Sequence, residues 1–189
     1  ARWHVESGVG RVARQDEPVP DHRLPDPLPT RPVADPRAVV RGETYRITVL
    51  ADGLLRLEYA EDGVFEDRAS AFALHRELPV PAFTVHDEGH ALEIVTDRLH
   101  LVYDRGPFTT SGLSVQVRGN ISSYHSVWRY GEPAADLGGT ARTLDLADGR
   151  IPLEPGVVSR VGYAVIDDSR TLLLDADGWV APRPPGRTD

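Results

Sequence analysis

An all-β fold, in the form of an antiparallel β-sandwich, is what this sequence of 189 residues predicts. Three observations predict it. Short segments alternate apolar and polar residues with period two, as strands with one buried face do. Turn signals separate these segments at intervals of roughly 8–12 residues. No window of about 12 residues carries a convincing helical period.

Residues 1–37 read as an arm, punctuated by Pro18, Pro20, Pro25, Pro27, Pro29, Pro32 and Pro36. Proline lacks an N–H and fixes φ, so at this density it prevents helix and central strand and favours extended polyproline II. The arm is either a solvated linker or an extended segment lying along a domain surface. Residues 38–182 read as the sandwich. Tyr45–Leu50 alternates with period two, Ala51-Asp-Gly53 turns the chain, and Leu54–Tyr59 alternates again. Leu55, Leu57 and Tyr59 share one face there, with Arg56 and Glu58 on the other, which makes a β-hairpin signature. After the turn Glu61-Asp-Gly63, the stretch Ala69–His75 is apolar enough for a strand, and Pro79 and Pro81 end it. Phe83–His86, Ala91–Thr96 and Leu99–Tyr103 read as three strands joined by Asp87-Glu-Gly89 and Asp97-Arg98. Leu113–Val117 follows Ser111-Gly112, and Gly162–Ile166 with Thr171–Leu174 reads as a last hairpin around Asp167–Arg170. Between them, Asn120–Ser159 is rich in Gly, Pro, Asp and Ser and lacks a clear strand pattern. A loop that long inside a compact domain tends to be functional or partly disordered.

Composition removes several function classes. The net charge is −8 and the pI about 5.3, so no basic face displaces counterions from phosphates; a nucleic-acid partner is not expected. An anionic membrane surface is disfavoured for the same reason. No run of about 18 apolar residues exists, and Ala1–Gly8 lacks the pattern of a signal peptide, so the expected location is cytoplasmic. There is no cysteine and no lysine; all 21 basic residues are arginine. That removes disulfides, thiolate chemistry and Schiff bases, and the arginine bias itself fits high-GC coding. A (β/α)8 barrel, at roughly 250 residues, does not fit in this length.

Few residues carry a recognisable chemistry. With 29 acidic residues, carboxylate pairs occur by chance; Glu66-Asp67 and Asp167-Asp168 lie in or beside turns, where such residues usually cap backbone N–H groups. His4, His22, His75, His86, His90, His100 and His125 show no metal spacing, and neither metal nor cofactor is expected. His100 faces opposite to Leu99 and Leu101, toward solvent. No serine sits in a G-x-S-x-G elbow, and Gly138-Gly139 lacks the spacing of a phosphate loop. Tyr124, Trp128 and Tyr130 bracket Arg129 ahead of Leu137-Gly-Gly-Thr140. Aromatic rings beside polar groups suit the wall of a sugar pocket; equally, Trp128 and Tyr130 suit the cap of a sandwich core or a contact with another domain.

Three segments carry a resemblance that covers most of residues 40–180. The first is Arg56-Leu-Glu-Tyr59 with Gly63-Val-Phe-Glu-Asp-Arg-Ala-Ser70 and Arg76. The second is Ile94–Tyr103 with Phe108 and Gly112-Leu-Ser114. The third is Leu137-Gly-Gly-Thr-Ala-Arg-Thr-Leu-Asp145, continued by Gly149, Leu153–Gly156, Ser159-Arg160, Gly162-Tyr163 and Asp167-Asp-Ser169. Together they resemble the N-terminal domain of glycoside hydrolase family 31, the α-glucosidases and α-xylosidases. The resemblance implies a galactose mutarotase-like sandwich and a parent enzyme that is exo-acting and retaining. Its two catalytic aspartates lie in a barrel beyond Asp189, so no catalytic residue is expected in this chain, and residues 183–189 become a linker to that barrel. The implied partners are this catalytic barrel of the same parent chain and, in the full enzyme, an α-linked oligosaccharide. The resemblance further implies a loop that reaches the sugar subsite, where Asp145, with Arg142 nearby, matches the aspartate that hydrogen-bonds the terminal sugar. Two other readings stay open: a stand-alone carbohydrate-binding module, and a mutarotase-like aldose epimerase working with a histidine acid and a glutamate base.

Overall fold

The computed structural model describes residues 28–119, 126–139, 148–149, 151, 153 and 155–189. Its strands are β1 (Val39–Arg41), β2 (Tyr45–Ala51), β3 (Leu54–Ala60), β4 (Ala69–Ser70), β5 (Phe83–Asp87), β6 (Leu92–Thr96), β7 (Leu99–Tyr103), β8 (Leu113–Val117), β9 (Val127–Arg129), β10 (Leu173–Leu174), β11 (Val180–Ala181) and β12 (Arg187–Thr188). Every ladder between them is antiparallel. Three sheets result, in the orders β1-β2-β3-β12, β5-β6-β7-β8-β9 and β11-β10-β4. The fold is all-β, as the alternation requires.

The core lies between the first two sheets. Tyr45, Ile47 and Val49 of β2 meet Leu92 and Ile94 of β6, Leu101 and Tyr103 of β7, and Leu113 of β8. These are alternate residues on each strand, because successive side chains point to opposite faces of a pleated sheet. One end of this core is aromatic. Tyr103 meets Tyr45 edge-on with centroids 5.1 Å apart, and Phe108 touches Tyr103, Tyr59 and Tyr130 at 5.3, 5.6 and 5.4 Å. Edge-to-face pairs of this kind add to the area they bury.

Two hairpin turns tie the sheets together. Asp52-Gly53 closes β2 onto β3 with a register shift between Val49 and Ala51, and Asp97-Arg98 closes β6 onto β7. The buried Thr96 hydroxyl accepts from Leu99 N–H at 2.8 Å and donates to the Asp52 carbonyl at 2.5 Å. A single side chain thus joins the two turns. The described part of the arm runs beside residues 74–76: Arg31 N–H donates to Leu74 O at 3.0 Å, and Arg76 N–H donates to Arg31 O at 2.6 Å. Pro36 opens a short 3-10 turn, Pro36–Ala38, capped by the Asp35 carboxylate.

Three local expectations need correction. Ala69–His75 supplies only the two residues of β4, because the Ser70 hydroxyl and carbonyl both accept from Ala73 N–H and turn the chain back. The last hairpin does not join 162–166 to 171–174. Leu173–Leu174 pairs with Val180–Ala181 instead, because Asp175 accepts from Asp177 N–H and Trp179 N–H and so makes the turn. Val127–Arg129, inside the stretch without a strand pattern, is the edge strand β9 on β8.

The two faces of β7 should respond differently to truncation. Leu101 is fully buried, so Leu101→Ala should lower unfolding free energy by about 2–5 kcal/mol. Val102, next in sequence, is 37% exposed, and Val102→Ala should cost well under that, about 1 kcal/mol or less. Urea unfolding of both variants measures the contrast.

Candidate functional site

The second face of β3 is covered. Glu58 is 2% exposed, and around it lies a chain of ion pairs that carries the first motif of the resemblance. Arg46 on β2 grips Glu58 with two bonds of 2.6 and 2.8 Å and reaches Asp67 at 2.5 Å. Arg56 grips Asp189 at 2.7 and 2.6 Å and lies 2.9 Å from Glu58. Arg183 joins Asp189 to Asp168, at 2.8 Å each. Both Arg46 and Arg56 also donate to the Glu66 carbonyl, at 3.0 and 3.1 Å. Planar guanidinium forks bridge carboxylates in this way where a lysine ammonium cannot.

Arg76 closes the cluster. It is 2% exposed, donates to Arg68 O at 2.8 Å and to Pro32 O at 3.3 Å, and stands 3.8 Å from Asp168. Arg76 therefore fastens the proline arm to the turn before β4. Four guanidiniums (Arg46, Arg56, Arg76, Arg183) face four carboxylates (Glu58, Asp67, Asp168, Asp189), which balances the charge.

Titration follows from this packing. Burial pulls the Asp189 carboxyl upward, but the hydrogen bonds and charge of Arg56, with Arg183 and Arg76, outweigh it and hold Asp189 below the ordinary aspartate value. For Glu58, burial is the larger influence and holds the carboxyl above its ordinary value against Arg46 and Arg56. Arg46 is held charged, since Glu58 and Asp67 outweigh its own burial. Two short bonds between Arg46 and Glu58 are those of an ion pair, so Glu58 is ionised at neutral pH despite the upward shift. Burial lowers Arg76, and the charge of Arg56 adds to that.

Beside this cluster opens a cleft of about 1900 Å³. It is lined by Leu54–Leu57 of β3 with Val115, Val117, Trp128 and Tyr130, and by residues 157–159, 162–170 and 182–189. Leu54, Phe72, Val157, Val158, Ile166 and Leu172 line it with large apolar side chains left exposed. Arg56, Arg76, Asp168, Arg183 and Asp189 add polar groups to its lining.

Of the residues singled out from sequence, Trp128 and Tyr130 both stand on this cleft. Trp128 is 7% exposed and donates its indole N–H to Glu132 O at 2.9 Å. Tyr130 is half-buried against Phe108. Asp145, Arg142 and Tyr124 lie outside the described residues. In the two acidic pairs, Glu66 accepts the backbone N–H and guanidinium of Arg68 and Asp167 accepts Ser169 N–H; Asp67 and Asp168 belong to the ion-pair chain. His100 meets Glu93 at 2.9 Å across β6 and β7, on the face turned away from the core and outside the cleft. Among the described residues, no group of three or more His, Asp or Glu is placed to hold a metal, and no helix is long and apolar enough to cross a membrane. Sequence reading missed the ion-pair chain. Sequence placed Arg56 and Glu58 together on one face of β3, but gave no sign of the distant partners, Asp168, Arg183 and Asp189, that bury that face.

Neither the models of known protein families nor the curated proteins contain a match to the chain.

Glu66 provides a titration test. Its hydrogen bonds from Arg68 outweigh burial and lower its carboxyl from the usual 4.5 to about 2. Between those values the unfolded chain binds more protons than the folded one, so stability rises with pH there and is lost as pH falls toward 2. The Glu66→Gln variant should lose about one proton's share of that slope. Thermal melts from pH 2 to pH 6 on both proteins measure it; an unchanged slope would show that Glu66 titrates normally.

Proposed function

We propose that this chain is the non-catalytic N-terminal domain of an exo-acting, retaining α-glycosidase resembling glycoside hydrolase family 31. It packs on the catalytic barrel of its parent and lends a loop to the sugar subsite. The observation that carries the reading is the cleft. At about 1900 Å³ it exceeds the roughly 300–1,000 Å³ typical of small-molecule sites. Its rim exposes Phe72, Leu172, Val157 and Val158, and apolar area of this kind marks a surface that meets more protein. Asp168 and Asp189 in its lining are tied to guanidiniums within hydrogen-bonding distance, which leaves those two poorly suited to proton transfer.

The first and third segments of the resemblance meet in space, which supports the same reading. Arg56, Glu58, Glu66 and Arg76 from the first segment lie in one cluster with Asp168 from the third. These residues hold strands together. The motif is therefore read as a folding signature of the domain, with catalysis supplied by the barrel.

In this proposal Asp145 accepts hydrogen bonds from two neighbouring hydroxyls of the terminal sugar, Arg142 is a second substrate-binding residue, and Trp128 and Tyr130 offer an aromatic wall. Charge-assisted bonds of this kind are worth about 1.5–3 kcal/mol. Asp145→Ala in the parent enzyme should weaken substrate affinity roughly 10- to 100-fold, and unchanged affinity would remove the subsite role. The isolated chain should neither release nitrophenol from nitrophenyl α-glucoside or α-xyloside nor speed the optical-rotation decay of fresh glucose. Turnover of the glycosides would overturn the proposal, and a faster decay would establish the epimerase reading in its place.

A further inference from the structure

Two stretches far apart in sequence, Asp136–Gly139 and Pro155–Arg160, lie side by side. Asp136 and Ser159 form an antiparallel bridge. Leu137 N–H donates to Val158 O at 2.8 Å, and Arg160 N–H donates to Ala135 O at 3.1 Å. A side chain adds to this bridge. The Asp136 carboxylate oxygen Oδ1 accepts from Gly138 N–H at 2.7 Å and from Gly156 N–H at 3.1 Å. The first bond is a local turn of the kind aspartate often makes. The second is not local, because Gly156 stands 20 residues further along the chain. The bonds from Gly156 and Gly138 hold the Asp136 carboxyl below its ordinary value. The acceptor is therefore ionised at neutral pH, and both bonds are charge-assisted.

Both glycines are needed for this contact. Gly138 takes a φ of +81°, where a side chain is strained. A Cβ on Gly156 would stand 2.6 Å from Gly138 O and 2.7 Å from Gly138 C. Those atoms are main chain and cannot swing aside as a side chain can. Asp136 thus ties the place where the chain departs, at Gly139, to the place where it returns, at Pro155. On the returning side Val157, Val158 and Ser159 line the cleft.

In sequence, Arg142 and Asp145 fall between these two tied ends. We infer that Asp136 is the positioning residue of the sugar subsite: it touches no sugar, and it acts by fixing the two ends of the segment that carries Asp145. This role rests on the reading of Asp145 as a sugar ligand. A binding group is placed only as well as its anchors are, and a displacement of about 1 Å can cost roughly 100-fold.

The test has two arms. In the chain itself, amide hydrogen exchange at Gly138 and Gly156, read by NMR, should quicken by about tenfold or more in Asp136→Ala. It should stay near the original rates in Asp136→Asn, whose side-chain oxygen still accepts. Unchanged exchange in Asp136→Ala would overturn the inference whatever the parent hydrolyses. In the parent enzyme, affinity for nitrophenyl α-glucoside or α-xyloside should fall by about tenfold in both Asp136→Ala and Gly156→Ala, and Asp136→Asn should restore most of it. Since the effect runs through Asp145, Asp136→Ala combined with Asp145→Ala should bind no more weakly than Asp145→Ala alone. Losses that add, as for independent sites, would overturn the positioning role, and so would an Asp136→Asn enzyme as weak as Asp136→Ala. Unchanged affinity in Asp145→Ala would remove the sugar reading and this role with it. Weakened affinity in Asp145→Ala beside unchanged affinity in Asp136→Ala would remove this role alone.

Discussion

The ion pair between Arg56 and Asp189 is the contact on which the rest of the structure depends. Asp189 stands 133 residues away from Arg56 in sequence, and their two bonds bring the end of the described chain back to the middle of β3. Asp189 then holds Arg183, Arg183 holds Asp168, and Asp168 N–H donates to the Asp189 carbonyl at 3.0 Å. On the other side Arg56 leads through Glu58 to Arg46. A buried ion pair repays its desolvation only when its geometry is good and its remaining lone pairs are met. Here the forks are bidentate and Glu66 O takes two further donors, so that condition holds along most of the chain of pairs.

This arrangement separates two roles that buried acidic residues can have. A catalytic carboxylate needs a proton to give or take and a sugar oxygen within reach. Glu58 and Asp189 instead spend their lone pairs on arginine. The polar residues that line the cleft belong to that ion-pair cluster, and the exposed apolar side chains of its lining are the part left to bind something. A large cleft that exposes apolar side chains suits another protein element better than a small ligand, which supports the reading as one part of a larger enzyme.

The long strands were legible because each carries its burial pattern locally. Tyr45, Ile47 and Val49 in β2 and Leu92 and Ile94 in β6 recur at alternate positions and are the buried core residues, although Thr48 is buried as well, so β2 and β6 follow from the spacing of their apolar residues. β4 and β10 were legible as apolar segments within Ala69–His75 and Thr171–Leu174, but their lengths and partners were not, and β11 was not legible at all, because a ladder of two residues leaves no periodic pattern. Leu172-Leu-Leu174 is a continuous apolar run that gives no phase, and only the Asp175 turn decides its partner. Alternation also separated Arg56 and Glu58 from Leu55 and Leu57, but a period-two pattern says nothing about whether the polar face is covered. Burial of charged residues depends on partners that come from elsewhere in the chain, and Asp168, Arg183 and Asp189 carried no local sign of that pairing. As for the candidate site, the two aromatic positions lie on the cleft, whereas the roles of Asp145 and Arg142 rest on resemblance alone.

A double-mutant cycle between Arg56 and Asp189 tests the central claim most directly. Arg56→Met, Asp189→Asn and the double variant are compared with the parent by urea unfolding. Residues in one buried ionic network couple, so the account predicts an interaction energy of about 1–3 kcal/mol between the two substitutions. Effects that add to within about 0.5 kcal/mol would mean that the pair does not fasten the chain end to β3, and would contradict the account.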